Sequence, residues 1–399
     1  MANESNVFAR ASGKSVNYNS LLTGVSSNAG LSEEQSTALS DLILSDSGIR
    51  VLRGRAGAGK SFVLKQIPLI AESSGINVIG VAPTHKAKLE LASDGFRNTD
   101  TIKGMLFKLA NGRFSLPKHS LIVVDEAGMV GNDDMRELLR VAATRKCNVI
   151  LAGDERQLAS VQRGGMFEVL SDRYGSSSIL DIKRQDSSWG KSVAMNMSAG
   201  NVETAVSILG RENRIKWDAD RDSSMSTLLT DWSKSDHNIS DRLILAVKNK
   251  DVAALNHGAR QYLKLEGKLT GNEIALAGNH YMKGDKILIT KTNKDLGLIN
   301  GDLAELVLAS EDKFTVKLAG GEGSQDQKIS FNPSEYNGFR HGYATTVFKA
   351  QGASIADVYM FHNGFAGIRN SYVSLSRNKI DLNLYANKEY TSNINSLIR

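Results

Sequence analysis

The sequence holds one cysteine, Cys147, in 399 residues. An internal disulfide framework is therefore excluded, and so is a cysteine-rich zinc site. The seven histidines are scattered, with no pair at the helical spacing that a metal centre uses. No apolar run reaches the ~18 residues needed to cross a bilayer. The opening stretch, MANESNVFARASGKS, is polar and lacks a signal-peptide core. A cytoplasmic location and no membrane partner are expected. Strong charge of one sign is missing too. Lys and Arg number 49 against 43 Asp and Glu, a formal net charge of +6, which permits a polyanionic partner without requiring one. What is present suits a folded chain. Hydrophobic residues at 41% and charged residues at 23% argue against disorder and fibres. The length suggests two or three domains at about 150 residues each.

Residues 1–30 are rich in Ser, Asn and Gly and read as a loose, partly disordered leader. Apolar runs at 49–52, 78–82, 121–124 and 149–152 then alternate with helical stretches. Such runs read as strands of a parallel sheet buried on both faces. A first α/β domain is expected over 31–177. Asn111-Gly112 marks either a short hairpin over 106–118 or a plain turn. A second strand series, at 179–182, 243–247, 358–361 and 382–385, predicts a second α/β domain over 178–399. Within it, short strand-like runs at 286–291, 303–309, 313–318 and 327–331 read as a small all-β insert over 270–340, of five-strand barrel type. Trp189, Trp217 and Trp232 are expected in the core.

Gly54-Arg-Ala-Gly-Ala-Gly-Lys-Ser61 sits after a strand and before a helix. Gly54, Gly57, Ala58 and Gly59 would let backbone N–H groups approach phosphates, and the helix N-terminus adds positive potential. Lys60 would reach the β- and γ-phosphates, and the Ser61 hydroxyl would ligate Mg²⁺. Leu121-Ile-Val-Val-Asp-Glu126 would deliver Asp125 to the metal shell and Glu126 to the attacking water. Gln157, in the turn Gly153-Asp-Glu-Arg-Gln157, can donate to the γ-phosphate or simply be exposed. Ser32-Glu-Glu-Gln35 has the form of a capping box.

Together these segments resemble the superfamily 1 helicases of the 5′→3′ branch, closest to the helicase region of TraA-type conjugative relaxases and to RecD-like helicases. The resemblance runs from about Leu31 to Tyr385 and involves nine segments in order. Leu31–Gln35 resembles the adenine-reading segment, which gives Gln35 a nucleotide role. Ala82-Pro-Thr-His-Lys-Ala87 and Thr101-Ile-Lys-Gly104 resemble the first DNA-contacting motifs, and imply DNA contacts by Pro83, Thr84, His85, Lys86 and Thr101. Leu180-Asp-Ile-Lys-Arg-Gln185 resembles the segment with the first arginine finger, Arg184. The runs from Lys283 and Leu296 to Asp302 resemble an SH3-like insert. Tyr343–Gly352 and Tyr372–Arg377 resemble the last two motifs. They imply nucleotide roles for Gln351 and Gly352, DNA contacts by Thr346, Phe348 and Lys349, and a second finger at Arg377.

The resemblance implies two RecA-like parallel-sheet domains, ATP and Mg²⁺ as cofactors, and hydrolysis that drives 5′→3′ movement on single-stranded DNA. Catalytic roles would fall to Glu126, Gln157, Arg184 and Arg377. Single-stranded and forked duplex DNA are the implied partners, with a separate relaxase or another DNA-processing protein as a further one, since no relaxase half is recognisable. Phe348 departs from the family, which usually has His there. An ATP-driven translocase that does not unwind, and a non-enzymatic DNA-binding remnant of a relaxase, are the alternatives.

Overall fold

In the first 183 residues the expected apolar runs form the strands β1 (Ile49–Gly54), β2 (Val78–Ala82), β3 (Thr99–Thr101), β4 (Leu121–Val124), β5 (Asn148–Gly153) and β6 (Ser177–Ile179). The computed structural model describes residues 8, 18–157, 165–318, 326–351, 353–364, 368–393 and 397. All six strands run parallel, in the order β3-β2-β4-β5-β1-β6. The two-residue period of a strand distributes the side chains between two layers. Leu52, Val123 and Ile150 enter one apolar cluster, and their neighbours Val51, Val124 and Leu151 enter the other. Burial on both faces explains why β4 and β5 read as unbroken apolar runs. Because every strand is parallel, all six carboxyl ends lie at one edge of the sheet. The motif segments after Gly54, Ala82, Thr101, Val124, Gly153 and Ile179 are gathered there by topology alone.

Three expectations for this unit are corrected. The run at 179–182 does not open the second domain. β6 pairs with β1, with Leu52 opposite Ser177 and Gly54 opposite Ile179, and the two compact units divide between Lys183 and Arg184. No hairpin forms at 106–118. Ile102–Ala110 is a helix that buries Ile102 and Met105. Asn111 is its C-cap, and Gly112 takes φ 64°. Gly112 N–H donates to Leu109 O and Arg113 N–H to Lys108 O, which is the Schellman arrangement. The third concerns the part of the leader that is described, which is helical and packed rather than loose. Tyr18–Ala29 is a helix with Tyr18 and Leu22 buried, and the Phe8 and Tyr18 rings meet edge to face at 5.8 Å.

The second unit, residues 184–399, contains β7 (Ile215–Asp218), β8 (Arg242–Ala246), β16 (Ala344–Thr346), β17 (Ile355–His362) and β18 (Asn378–Asn387). They form a parallel sheet in the order β16-β8-β17-β18-β7. Its two edge strands escaped the sequence reading. Between β8 and β16 lie the hairpin β9 (Thr270–Leu276) and β10 (Asn279–Lys283), and the antiparallel strands β11 (Lys286–Ile289), β12 (Leu303–Ala309), β13 (Phe314–Leu318), β14 (Gln327–Phe331) and β15 (Phe339–His341). The five-stranded order is β14-β13-β12-β11-β15. Its edge strands are joined by side chains, with the Phe331 and Phe339 rings 5.7 Å apart. The insert is therefore a curled sheet around an aromatic core, and its β14 and β15 edges share no backbone ladder among the described residues. At its root the buried Lys286 ammonium donates to the carbonyls of Ile239, Ser240 and Arg242 at 2.9, 3.1 and 2.8 Å. Trp232 is fully buried, whereas Trp189 is half-exposed and carries the Arg214 guanidinium 4.9 Å above its ring. No helix among the described residues is long and apolar enough to cross a membrane.

Candidate nucleotide and nucleic-acid sites

The phosphate-binding loop follows β1 directly. Gly57 and Gly59 take φ 82° and 87°, values that favour glycine. Gly54 is required for another reason. A Cβ there would lie 2.4 Å from the Lys60 stem, and the Lys60 ammonium donates to Gly54 O at 2.7 Å. Ala58 is buried, and Ser61 is exposed in the first turn of the helix Lys60–Leu64. That helix stops at Leu64, and a second begins at Gln66. Pro68 explains the break, because it has no N–H to offer the Leu64 carbonyl and its ring crowds it.

Asp125 is delivered by β4, as expected, and is 6% exposed. Burial, reinforced by the neighbouring Glu126 and opposed by Lys60, pushes its carboxyl up to about 7. A buried carboxylate in need of a cation, beside a loop with an exposed Ser61 hydroxyl, fits a divalent metal. Glu126 has φ 50°, ψ 40°. This left-handed backbone is uncommon for a residue with a side chain and is a form of strain that gathers at functional sites.

The structure joins the Asp-Glu turn to the turn that carries Gln157, which the sequence did not reveal. A Cβ at Gly128 would lie 2.9 Å from Asp154 O, and one at Gly153 would lie 2.9 Å from Gly128 N. Only glycines allow the two backbones to approach so closely. Gln157 is 4% exposed, so the exposed reading fails. Its Nε2 donates to Asp154 at 3.2 Å, and its Oε1 has no hydrogen-bond partner among the described residues.

Gln35 fulfils the capping box and does more. Its Oε1 accepts from Ser32 N–H at 3.1 Å, while Nε2 donates to Ala58 O at 3.2 Å. The amide thus ties the start of the helix Glu33–Leu44 to the phosphate loop. Thr84 and Thr101 also serve as caps. Their hydroxyls accept from Ala87 N–H and Gly104 N–H at the starts of the helices His85–Ser93 and Ile102–Ala110. Pro83 and Lys86 are half-buried beside the exposed Thr84 and His85, after β2 and one strand from Thr101.

In the second unit Arg184 and Arg377 are brought together through one residue. Arg184 donates to Ser376 O at 2.9 Å. Gln185, fully buried and missed by the sequence reading, donates to Ser376 O and Asn378 O at 3.2 and 3.1 Å. Arg377 is 1% exposed, with Nε on Val373 O and Nη2 on Ser376 Oγ. Thr346, Phe348 and Lys349 lie at the end of β16 and in the turn after it. Phe348 is 43% exposed, which excludes a core role. Burial, with help from Arg340, lowers the Lys349 ammonium from its usual value. Both polar atoms of the Gln351 amide are buried without a hydrogen-bond partner among the described residues. Gly352 lies outside the described residues.

A glycine-rich loop after β1 of a parallel sheet, with an Asp-Glu pair after a neighbouring strand, defines a P-loop nucleotide-binding fold of the RecA-like class. An AAA-domain family model matches residues 30–220. The chain is similar to TraA conjugal transfer proteins and to RecD helicases. It is 29% identical to the conjugal transfer protein TraA of Rhizobium radiobacter over 96% of this chain and 35% of that protein. It is 26% identical to the ATP-dependent RecD2 DNA helicase of Deinococcus radiodurans over 81% of this chain and 44% of that one. The chain thus spans about a third of the length of its TraA relatives. The fold is similar to that of the Pif1 helicase from Bacteroides, solved with ADP-AlF3 and single-stranded DNA. The TM-score is 0.54 at 19% identity, over 89% of this chain and 92% of that one.

Proposed function

We propose that this chain is a Mg²⁺-dependent ATPase motor that moves 5′→3′ on single-stranded DNA and opens forked duplexes. The observation that carries the reading is the Asp125–Glu126 pair, Asp125 buried and Glu126 half-buried, on the same sheet edge as the phosphate loop. Lys60 would leave Gly54 O for the β- and γ-phosphates, guided by the loop's N–H groups. Ser61 and Asp125 would hold Mg²⁺, which supplies charge neutralisation at the phosphates when bound. Glu126 would accept a proton from the attacking water. Gln157, whose Oε1 has no hydrogen-bond partner among the described residues, would sense that water or the γ-phosphate. Arg184 and Arg377 would stabilise charge on the transferred phosphoryl group. Gln351, whose amide also has no hydrogen-bond partner among the described residues, would contribute to the nucleotide site, together with Gly352.

Pro83, Thr84, His85, Lys86, Thr101, Thr346, Phe348 and Lys349 would contact the strand. The segments that carry them follow the strand ends of the two parallel sheets. The mild positive balance suits backbone tracking without sequence choice. The absence of a hairpin at 106–118 favours a second reading, a translocase that moves without splitting duplex. ATPase measured with and without single-stranded DNA tests the motor. Forked substrates with a 5′ or a 3′ tail then test unwinding and polarity. An inactive ATPase overturns the proposal, and active hydrolysis without strand separation selects the translocase.

A further inference from the structure

Resting on the proposed ATPase, we infer that Glu34 is a positioning residue that clamps the chain segment leading into Arg184 against the phosphate loop. Glu34 lies half-buried in the first turn of the helix Glu33–Leu44. Its Oε1 accepts from Leu180 N–H at 2.7 Å, and its Oε2 accepts from Asp181 N–H at 3.1 Å. Both oxygens are thus committed to consecutive backbone amides in a stretch that belongs to no strand or helix. Such charge-assisted bonds are among the stronger ones a surface carboxylate can make.

The clamped segment also grips the loop directly. Arg55 N–H donates to Ile179 O at 3.2 Å, and Lys183 N–H donates to Gly57 O at 2.9 Å. The Arg55 guanidinium reaches Leu180 O at 3.4 Å. Gln35, next to Glu34, holds Ala58 O. Helix turn, phosphate loop and segment 179–183 are therefore bonded pairwise into a closed triangle. Lys183 is followed by Arg184 in the chain. A shift of the Gly57 peptide, which phosphate would contact, is passed through Lys183 to the next residue. Without Glu34, the one hydrogen bond left to the middle of the segment among the described residues is the long Arg55 contact, beside the packing of the buried Ile182, and Arg184 loses part of its fixed origin.

Among the described residues, Glu34's hydrogen bonds reach the loop through this segment, and its neighbour Gln35 reaches it directly, so the loss of Glu34 should spare nucleotide affinity and slow turnover. The test is steady-state ATPase, nucleotide Kd with a fluorescent ATP analogue, and amide exchange at Leu180 and Asp181, all on the full chain. Glu34→Ala should lower kcat about tenfold, leave Kd within about threefold, and speed exchange at both amides. Glu34→Gln, with one acceptor oxygen left, should fall between. Combined with Arg184→Ala, Glu34→Ala should cost nothing further, because both act through one group. An unchanged kcat with faster exchange would make the clamp merely structural and refute the inference. A Kd loss that accounts for the kcat loss, or a multiplied defect in the double variant, would refute it as well. If Glu34→Ala does not fold, Glu34→Gln carries the same comparison. A wild-type chain without ATPase would overturn the proposed function and this inference with it. Active wild type with unaffected Glu34 variants overturns the inference alone.

Discussion

Replacing Phe348 by Ala separates a DNA-facing role from a packing role by magnitude. The ring is 43% exposed in the turn after β16, so somewhat more than half of the residue is covered. Full burial of such a side chain stabilises a fold by ~1.5–3 kcal/mol. Coverage of this extent therefore contributes ~1–2 kcal/mol. A core phenylalanine cut to Ala would cost ~3–5 kcal/mol. Stacking on a base is worth ~1–3 kcal/mol, which corresponds to roughly a 5- to 150-fold change in Kd. The expected pattern is a small drop in stability, a larger drop in affinity for single-stranded DNA, and lower DNA-stimulated ATPase with basal ATPase nearly intact. Urea unfolding gives the first quantity. Fluorescence anisotropy with a poly-dT oligomer gives the second, and ATPase with and without that oligomer the third. A stability loss of ~3 kcal/mol or more with unchanged DNA affinity would refute the reasoning. Phe348→His, which restores the residue usual among the family it resembles, should keep stability because the position is exposed.

Three further outcomes are expected. Glu126→Gln should retain ATP binding and lose turnover by ~10²–10⁴-fold, because the water loses its base; near wild-type kcat in a folded variant would reject that assignment. Gly128→Ala should destabilise the fold by ~1–3 kcal/mol and slow hydrolysis, since its Cβ would lie 2.9 Å from Asp154 O; an unaltered urea midpoint would count against the close approach. Lys286→Met should strand three buried carbonyls at ~1–3 kcal/mol each before relaxation, and it should also change the pH dependence of stability. Burial pulls the Lys286 ammonium down to about 7, so between that value and its ordinary one the unfolded chain binds more protons than the native one. The group's contribution then rises with pH over 7–9, and subtracting the Met variant's urea profile from that of the wild type should isolate this slope.

What was legible in the sequence was whatever is both local and contiguous. The loop 54–61 carries its own glycines, lysine and serine, and β4 carries Asp125 at its end. A parallel sheet then collects such segments at one edge without further instruction. What was illegible depends on choices between sheets or between equal local solutions. The run at 179–182 has the same apolar signature whichever sheet it joins; its neighbour is decided by pairing with residues 52–54. Asn-Gly supplies a left-handed backbone to a hairpin or to a helix C-cap alike, and the apolar face of Ile102–Ala110 selects the cap. Three-residue β16 is too short to show a period. Gln185, between Arg and Asp, reads as surface, yet it is fully buried because it satisfies two carbonyls beside Arg377. Gly128 and Gly153 read as ordinary turn glycines until their backbones are seen to touch.

The residues that carry a motif and the residues that start a helix are partly the same here, for a physical reason. Helices that begin at the carboxyl edge of a parallel sheet present unbonded N–H groups toward the ligand side. Those donors need an acceptor, and a side-chain oxygen or a phosphate can supply it. After β2 and β3 the acceptors are the Thr84 and Thr101 hydroxyls, so these helix starts are closed from within and their threonine hydroxyls are already engaged. After β1 the position is held by Gly59, which offers no side chain and makes no cap bond. A larger residue is opposed there twice, by φ 87° and by the Gln35 amide 2.5 Å from where its Cβ would sit. The one helix start that is both uncapped and braced by Gln35 is the one that carries Lys60 and Ser61. The sequence writes this difference as Thr against Gly at equivalent points of the sheet edge. Gly131 and Gly165 also start helices without a side-chain cap, so it is the Gln35 brace together with Gly59, rather than glycine alone, that would leave room for a phosphate as the acceptor.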